Sequence, residues 1–226
     1  MGSKSQTVLV APLASDSGVL LKRAVADVKP GYLVLAYPHG VRALVDGAVS
    51  ATMDFADSIG LSLGVELAEV PVRLVDAMAS VRRAIIRVRG VVKNALDVHI
   101  ALFDNAPNWL NTVLLYVSSV VETLTWEGVG LSGVRYYSVE DTEELFKLPK
   151  FVELNPTEYF VLRLIAEGRR TAVEIHDSFN RQFGSISRQM VNATLARLKA
   201  KGLVEVHGGG STFIYRLTEM GRLIVG

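Results

Sequence analysis

Apolar residues in the first two thirds of the chain fall into short dense runs, separated by longer stretches where they recur every three or four positions. The runs Thr7–Ala11, Tyr32–Tyr37, Leu63–Glu69 and Val98–Phe103 are rich in Val, Leu and Ile without strict alternation. That is the pattern of strands covered on both faces of a parallel sheet. Val134–Val139 is a candidate fifth strand. Between the runs, the spacing predicts helices over Val19–Val28 and Val41–Ile59, and a third marked by Leu74, Met78, Val81, Ile85, Val88 and Val92. Strands alternating with helices predict βαβ units, hence an α/β fold with a mostly parallel sheet.

A fourth helix, from about Asn108 to Leu124, is apolar around most of its circumference and carries no charge before Glu122. Such a helix must be buried on nearly all sides. With one side on the sheet, the remainder is expected to meet a second subunit, a homodimer packed through Trp109, Val113, Val117 and Val120. The third helix has a basic face of Arg82, Arg83, Arg87, Arg89 and Lys93, expected to be solvated.

The pattern changes at Leu148-Pro149-Lys150-Phe151. Asn155-Pro156-Thr157-Glu158 then supplies an N-cap, a proline at the first helical position and a glutamate at the third. Thr171 to Glu174 repeats the capping signal, and Ser187 opens a third helix that runs to Ala200 before Lys201-Gly202. Leu203–Val206 and Thr212–Leu217 alternate like hairpin strands around Gly208-Gly209-Gly210. Three helices and a hairpin predict an α+β winged helix-turn-helix over residues 155–226, joined by a linker at 147–154 to an α/β domain at 1–146.

Charge separates along the same boundary. The first 150 residues hold 14 basic and 16 acidic side chains, whereas Phe179 to Arg222 holds seven basic against two acidic. The net charge of +1 therefore conceals a local cationic segment, a candidate polyanion binder. The absence of cysteine removes disulfides, thiolate nucleophiles and thiolate-bound metals. No apolar window approaches the ~18 residues a membrane helix needs, and the segment before Thr7 lacks signal-peptide character. A cytoplasmic location without a membrane partner is expected.

On the third helix of the winged module, Val191, Leu195 and Leu198 recur at four and three and face inward. At about 100° per residue, the opposite arc carries Gln189, Asn192, Ala193 and Ala196, flanked by Arg188, Arg197 and Lys199. Gln and Asn pair bidentately with adenine and Arg with guanine, while alanines permit close approach. Ser187 as N-cap leaves amides for a phosphate, and Ser211, Thr212 and Arg216 sit on the wing, where backbone contacts are made. The expected partner is double-stranded DNA; a module used only for protein contacts is the competing reading.

Open parallel sheets bind ligands outside the carboxyl ends of their strands. This selects Pro12, Leu13, Ser15, Asp16 and Ser17 after the first strand, Pro38 and His39 after the second, and Asp104, Asn105, Ala106 and Asn108 after the fourth. Caps alone also account for Ser15, Asp16, Ser17 and Asn108. A literal G-x-G-x-x-G, Gly128 to Gly133, follows a helix and leads into a strand. The dinucleotide fingerprint requires the reverse order, so this run is read as a flexible turn, and no cofactor or metal is expected.

The run SRQMVNATLARLKAKGLVE from Ser187, followed by YRLTEMGR from Tyr215, resembles the winged-helix families of prokaryotic regulators. Together with ASDSGVLLKR from Ala14, YLVLAYP from Tyr32 and VHIALFDNAPNWLN from Val98, nearly the whole chain resembles the CRISPR-associated Rossmann-fold (CARF) transcriptional regulators of archaea. That resemblance implies a Rossmann-like sensor that dimerises and binds a cyclic oligoadenylate, usually the tetra-adenylate, across its two-fold axis. The winged helices would then control CRISPR-linked genes in antiviral defence.

Family members that bind the ligand tend to carry a small hydroxyl residue, a glycine and a basic or polar residue after the fourth strand. This chain has Asp104, Asn105, Ala106, Pro107 and Asn108 there. A carboxylate beside phosphates is unfavourable and Pro107 donates no amide; Asp104 suits a ribose hydroxyl instead. A general regulator sensing another metabolite, or using its first domain only to dimerise, stays open as an alternative. So does an enzyme that slowly cleaves cyclic oligoadenylate, although His99, His176 and His207 are scattered and no nucleophile–base spacing is visible.

Overall fold

The computed structural model describes residues 6–13, 17–92, 94–145, 152–208 and 213–225. The chain divides into two compact units, Met1–Phe151 and Val152–Gly226.

The first unit contains β1 (Gln6–Pro12), α1 (Ser17–Val28), β2 (Tyr32–Pro38), α2 (Arg42–Ser58), β3 (Gly64–Val70), α3 (Leu74–Val91), β4 (Leu96–Phe103), α4 (Asn108–Thr123), β5 (Val129–Tyr137) and β6 (Thr142–Leu145). The strands form one sheet in the order β3-β2-β1-β4-β5-β6. The first five are parallel, and β6 runs antiparallel along β5. Strand order reverses between β1 and β4. Right-handed crossovers then send α1 and α2 to one face and α3 and α4 to the other, and each pair is in contact. Leu9, Leu33, Leu35, Leu20, Leu21 and Phe103 form the core beneath α1, each fully buried side chain contributing roughly 1.5–3 kcal/mol. This is an α/β, Rossmann-like unit.

Three expectations are corrected here. Val113, Val117 and Val120 are at most 2% exposed inside the single chain, because α4 packs on β1, β4 and β5 and also against α3. They are core residues, not a dimer face; of the large apolar side chains on this helix, Trp109 and Tyr116 stay exposed, at 39% and 38%. The glycine run is not a flexible turn. Gly128 does terminate a 3₁₀ turn, Leu124–Glu127, at φ 74°, but Gly130 and Gly133 lie in β5. Val98 there faces Leu131 and His99 faces Gly133, leaving Ser132 as a β-bulge. The basic face of α3 is also not simply solvated. Arg82 is buried, Arg87 bonds Glu66 at 2.6 Å, and Arg89 donates to the carbonyls of Glu127 and Val92.

The second unit contains α5 (Pro156–Ala166), α6 (Ala172–Gln182), α7 (Arg188–Ala200), the hairpin β7 (Val204–His207) and β8 (Ile214–Leu217), and α8 (Glu219–Val225). Both capping boxes form: Asn155 and Thr171 accept from Glu158 N and Glu174 N, and each glutamate returns a bond to its cap's N–H. Tyr159, Leu162, Ile175, Val191, Leu195, Leu198 and Leu203 share one core. Three helices and a two-stranded wing make this a winged helix. It carries one helix more than the sequence patterns indicate: α8 packs so closely that a Cβ on Gly221 would lie 2.1 Å from the Leu203 carbonyl oxygen.

Candidate functional site

In the winged unit, Ser187 accepts the Met190 N–H at 3.2 Å and starts α7. Val191, Thr194, Leu195 and Leu198 are buried. Arg188, Gln189, Asn192, Ala193, Ala196 and Lys199 are exposed on the other arc, the division that the spacing predicts. Met190, half-exposed beside them, is one that the spacing leaves unassigned.

Arg197 behaves differently. Its Nε lies 3.2 Å from Glu158 Oε1 and its Nη2 donates to Thr194 Oγ1 at 3.1 Å, so the guanidinium is turned toward α5. Burial pushes the Glu158 carboxyl pKa up, but hydrogen bonds from Lys201, from the Asn155 amide and from Arg197 outweigh it and hold it below its ordinary value. Arg216 stands on β8 opposite Glu205. It shares a cavity of about 640 Å³ with Arg222, already counted in the cationic segment, and with Arg170, which sequence reasoning missed. Ser211 and Thr212 lie outside the described residues.

In the first unit, the loops after β1, β2 and β4 converge at the reversal of strand order. Leu13, Pro38, Asp104, Asn105 and Ala106 line one crevice of about 420 Å³, together with Pro107, Val41 and Leu44. Val41 and Leu44 were hidden because helical spacing assigns them to a packed helix. Asp104 Oδ2 accepts the Val139 N–H at 3.3 Å, which ties this loop to the turn after β5. Asn105 Oδ1 is buried without a hydrogen bond among the described residues. Asn111, also missed, clamps the end of β4 by bonding both the N–H and the carbonyl of Phe103.

Other candidates fall outside the crevice lining. Pro12 is buried within β1. His39 is exposed, with Nδ1 2.5 Å from Glu69 Oε1, and Asn108 is exposed in the first turn of α4. Ser15, Asp16 and the Ser17 side chain lie outside the described residues.

A second cavity, of about 520 Å³, is lined by Arg23, Ala26, Asp27, Arg135, Tyr137 and Thr142. Asp27 accepts from Tyr137 Oη at 2.9 Å and from Arg135, while Arg23 Nη1 donates to the Ser138 carbonyl at 3.0 Å. Burial and the bond to Asp27 push the Tyr137 phenol up to about 12. Among the described residues, no group of three or more His, Asp or Glu side chains is placed to hold a metal. No helix among them is long and apolar enough to cross a membrane.

No protein-family model matches the chain, and no curated protein matches it. Solved structures do. The hsRosR-S4 complex is 25% identical over 32% of this chain and 65% of its own, with a TM-score of 0.31. Can2 from Sulfobacillus thermosulfidooxidans, in complex with cyclic tetra-adenylate, is 9% identical over 97% of this chain and 64% of its own, at 0.36. A type III CRISPR defence DNA nuclease activated by cyclic oligoadenylate is 14% identical over 94% of this chain and 37% of its own, at 0.37. The chain spans less than two thirds of the length of each.

Proposed function

We propose that the chain is a CARF-type, ligand-responsive transcriptional regulator of CRISPR-linked genes, acting in the cytoplasm as a homodimer on duplex promoter DNA. One observation carries this reading: α7 buries its aliphatic stripe and exposes Arg188, Gln189, Asn192, Ala193 and Lys199 on a single arc. Small and amide side chains between two cations suit a major groove, where phosphates position and base edges specify. Gel shifts on the promoter of the neighbouring genes test it; equal affinity for promoter and unrelated duplex DNA would refute the recognition role.

For the sensor, the CARF resemblance favours cyclic tetra-adenylate in the crevice, and the convergence of three strand-end loops there supports a ligand. A second reading has its own observation. Among the described residues, the crevice lining contains no cation and presents the Asp104 carboxylate, which favours a metabolite without phosphates. Calorimetry separates the two: heat on adding cyclic tetra-adenylate, with a change in DNA affinity, supports the first, and no heat supports the second. The regulator is read as non-catalytic, and linear products from labelled cyclic tetra-adenylate would contradict that.

A further inference from the structure

Glu158 is 1% exposed in the first turn of α5. Its Oε2 accepts Lys201 Nζ at 2.7 Å and the Asn155 N–H at 3.0 Å, and its Oε1 accepts Arg197 Nε at 3.2 Å. A buried carboxylate needs such partners, because desolvation of an unpaired charge costs several kcal/mol. Both cations are held a second time. Arg197 Nη2 bonds Thr194 Oγ1 at 3.1 Å, and Lys201 Nζ bonds the Glu153 carbonyl at 2.6 Å. Two of the positive charges on and just after the reading helix are therefore paired with a buried carboxylate, although their side chains stay 46% and 32% exposed.

We infer that Glu158 is an affinity-setting residue of the reader: its buried carboxylate offsets the charge that Arg197 and Lys201 present to DNA. This rests on the DNA-binding reading above. Sequence-independent affinity follows the number of phosphates neutralised, each adding about 0.9 to the slope of log K against log salt. Offsetting these two cations weakens binding everywhere on DNA and leaves the base-facing Gln189 and Asn192 untouched. The ratio of specific to non-specific affinity stays the same, because both complexes lose the same phosphate term.

Glu158→Gln preserves shape and an acceptor for the Asn155 amide while removing the negative charge that offsets the two cations. It is expected to steepen the salt dependence of duplex binding by about one to two, to delay elution from heparin, and to tighten promoter and unrelated DNA alike. Adding Arg197→Ala should return the slope toward wild type. Unchanged slope and unchanged heparin elution in a folded Glu158→Gln protein, verified by circular dichroism, overturn the inference. Heparin counts free cations whether or not the chain reads DNA, so delayed elution without duplex binding supports the charge assignment and sinks only the DNA reading. If Glu158→Gln does not fold, Lys201→Ala replaces it: no change in slope is expected, and a loss equal to that of Arg188→Ala overturns the assignment.

Discussion

The phenol of Tyr137 donates to Asp27 Oδ2 at 2.9 Å, joining α1 to the end of β5 across 110 residues of sequence. Arg135 meets the same oxygen. Tyr137→Phe removes the donor and is expected to cost about 1 kcal/mol of stability, measured by chemical denaturation. The pH dependence has two arms. The Tyr137 pKa is raised from 10.0 to about 12, so its contribution is complete below about 10 and is lost as pH rises through 12. Asp27 is lowered from its ordinary 3.8 because the Tyr137 and Arg135 bonds outweigh burial. Its contribution is present above that value and lost as pH falls through the lowered one. Tyr137→Phe should flatten the alkaline arm; an identical alkaline decline in both proteins would remove Tyr137 as its cause.

Asp104 places a carboxylate on the crevice lining. If the effector carries a ring of phosphates, Asp104→Asn should tighten it about fivefold, the scale of removing one like charge a few ångströms away in a wet site. Calorimetric titration of both proteins reads the change. Weaker binding by the variant would instead assign the carboxylate to a hydroxyl or amine of the ligand.

On α7, Arg188 and Gln189 should fail differently. Arg188→Ala is expected to lower the salt slope by about 1 on every duplex, as a phosphate contact would. Gln189→Ala should cost about 1–3 kcal/mol on the promoter and little on unrelated DNA. Fluorescence anisotropy over a salt series distinguishes them, and equal losses on both duplexes for Gln189→Ala would take that residue off the base edges.

Gly221→Ala would force a Cβ to 2.1 Å from the Leu203 carbonyl. That oxygen already accepts the Thr218 N–H at 3.1 Å, so it has little room to yield. Destabilisation of at least about 1–3 kcal/mol is expected. Thermal unfolding of the winged unit's helical signal measures it, and a wild-type midpoint would mean that α8 shifts freely.

Features governed by neighbouring residues were legible in the sequence. The caps at Asn155, Thr171 and Ser187 depend on three or four adjacent positions, and each forms as the spacing predicts. Contacts between distant segments were not legible: nothing local links Asp27 to Arg135, or Glu158 to Arg197. The circumference of α4 suggested a second subunit because its pattern does not reveal that α3 supplies the missing cover. β6 has four residues and only one apolar side chain, so its identity comes from the ladder with β5. α8 was masked by its length of seven residues and by a glycine at its third position. Of the crevice, the strand-end loops followed from topology. Val41 and Leu44 did not, since the same spacing that makes a helix also suggests its core.

The two ends of the sheet order bear on aggregation. Among the described residues, β3 pairs only with β2, and β6 only with β5. Bare edges of this kind invite strands from other molecules unless they are short or charged. β3 carries Glu66, bonded to Arg87 at 2.6 Å, and Glu69, 2.5 Å from His39 Nδ1; β6 is only four residues long. An incoming strand would have to dislodge these paired carboxylates on one side, and would find too short a ladder on the other. The folded sheet is thereby a poor template for fibre growth, and the aggregation hazard lies with unfolded chains.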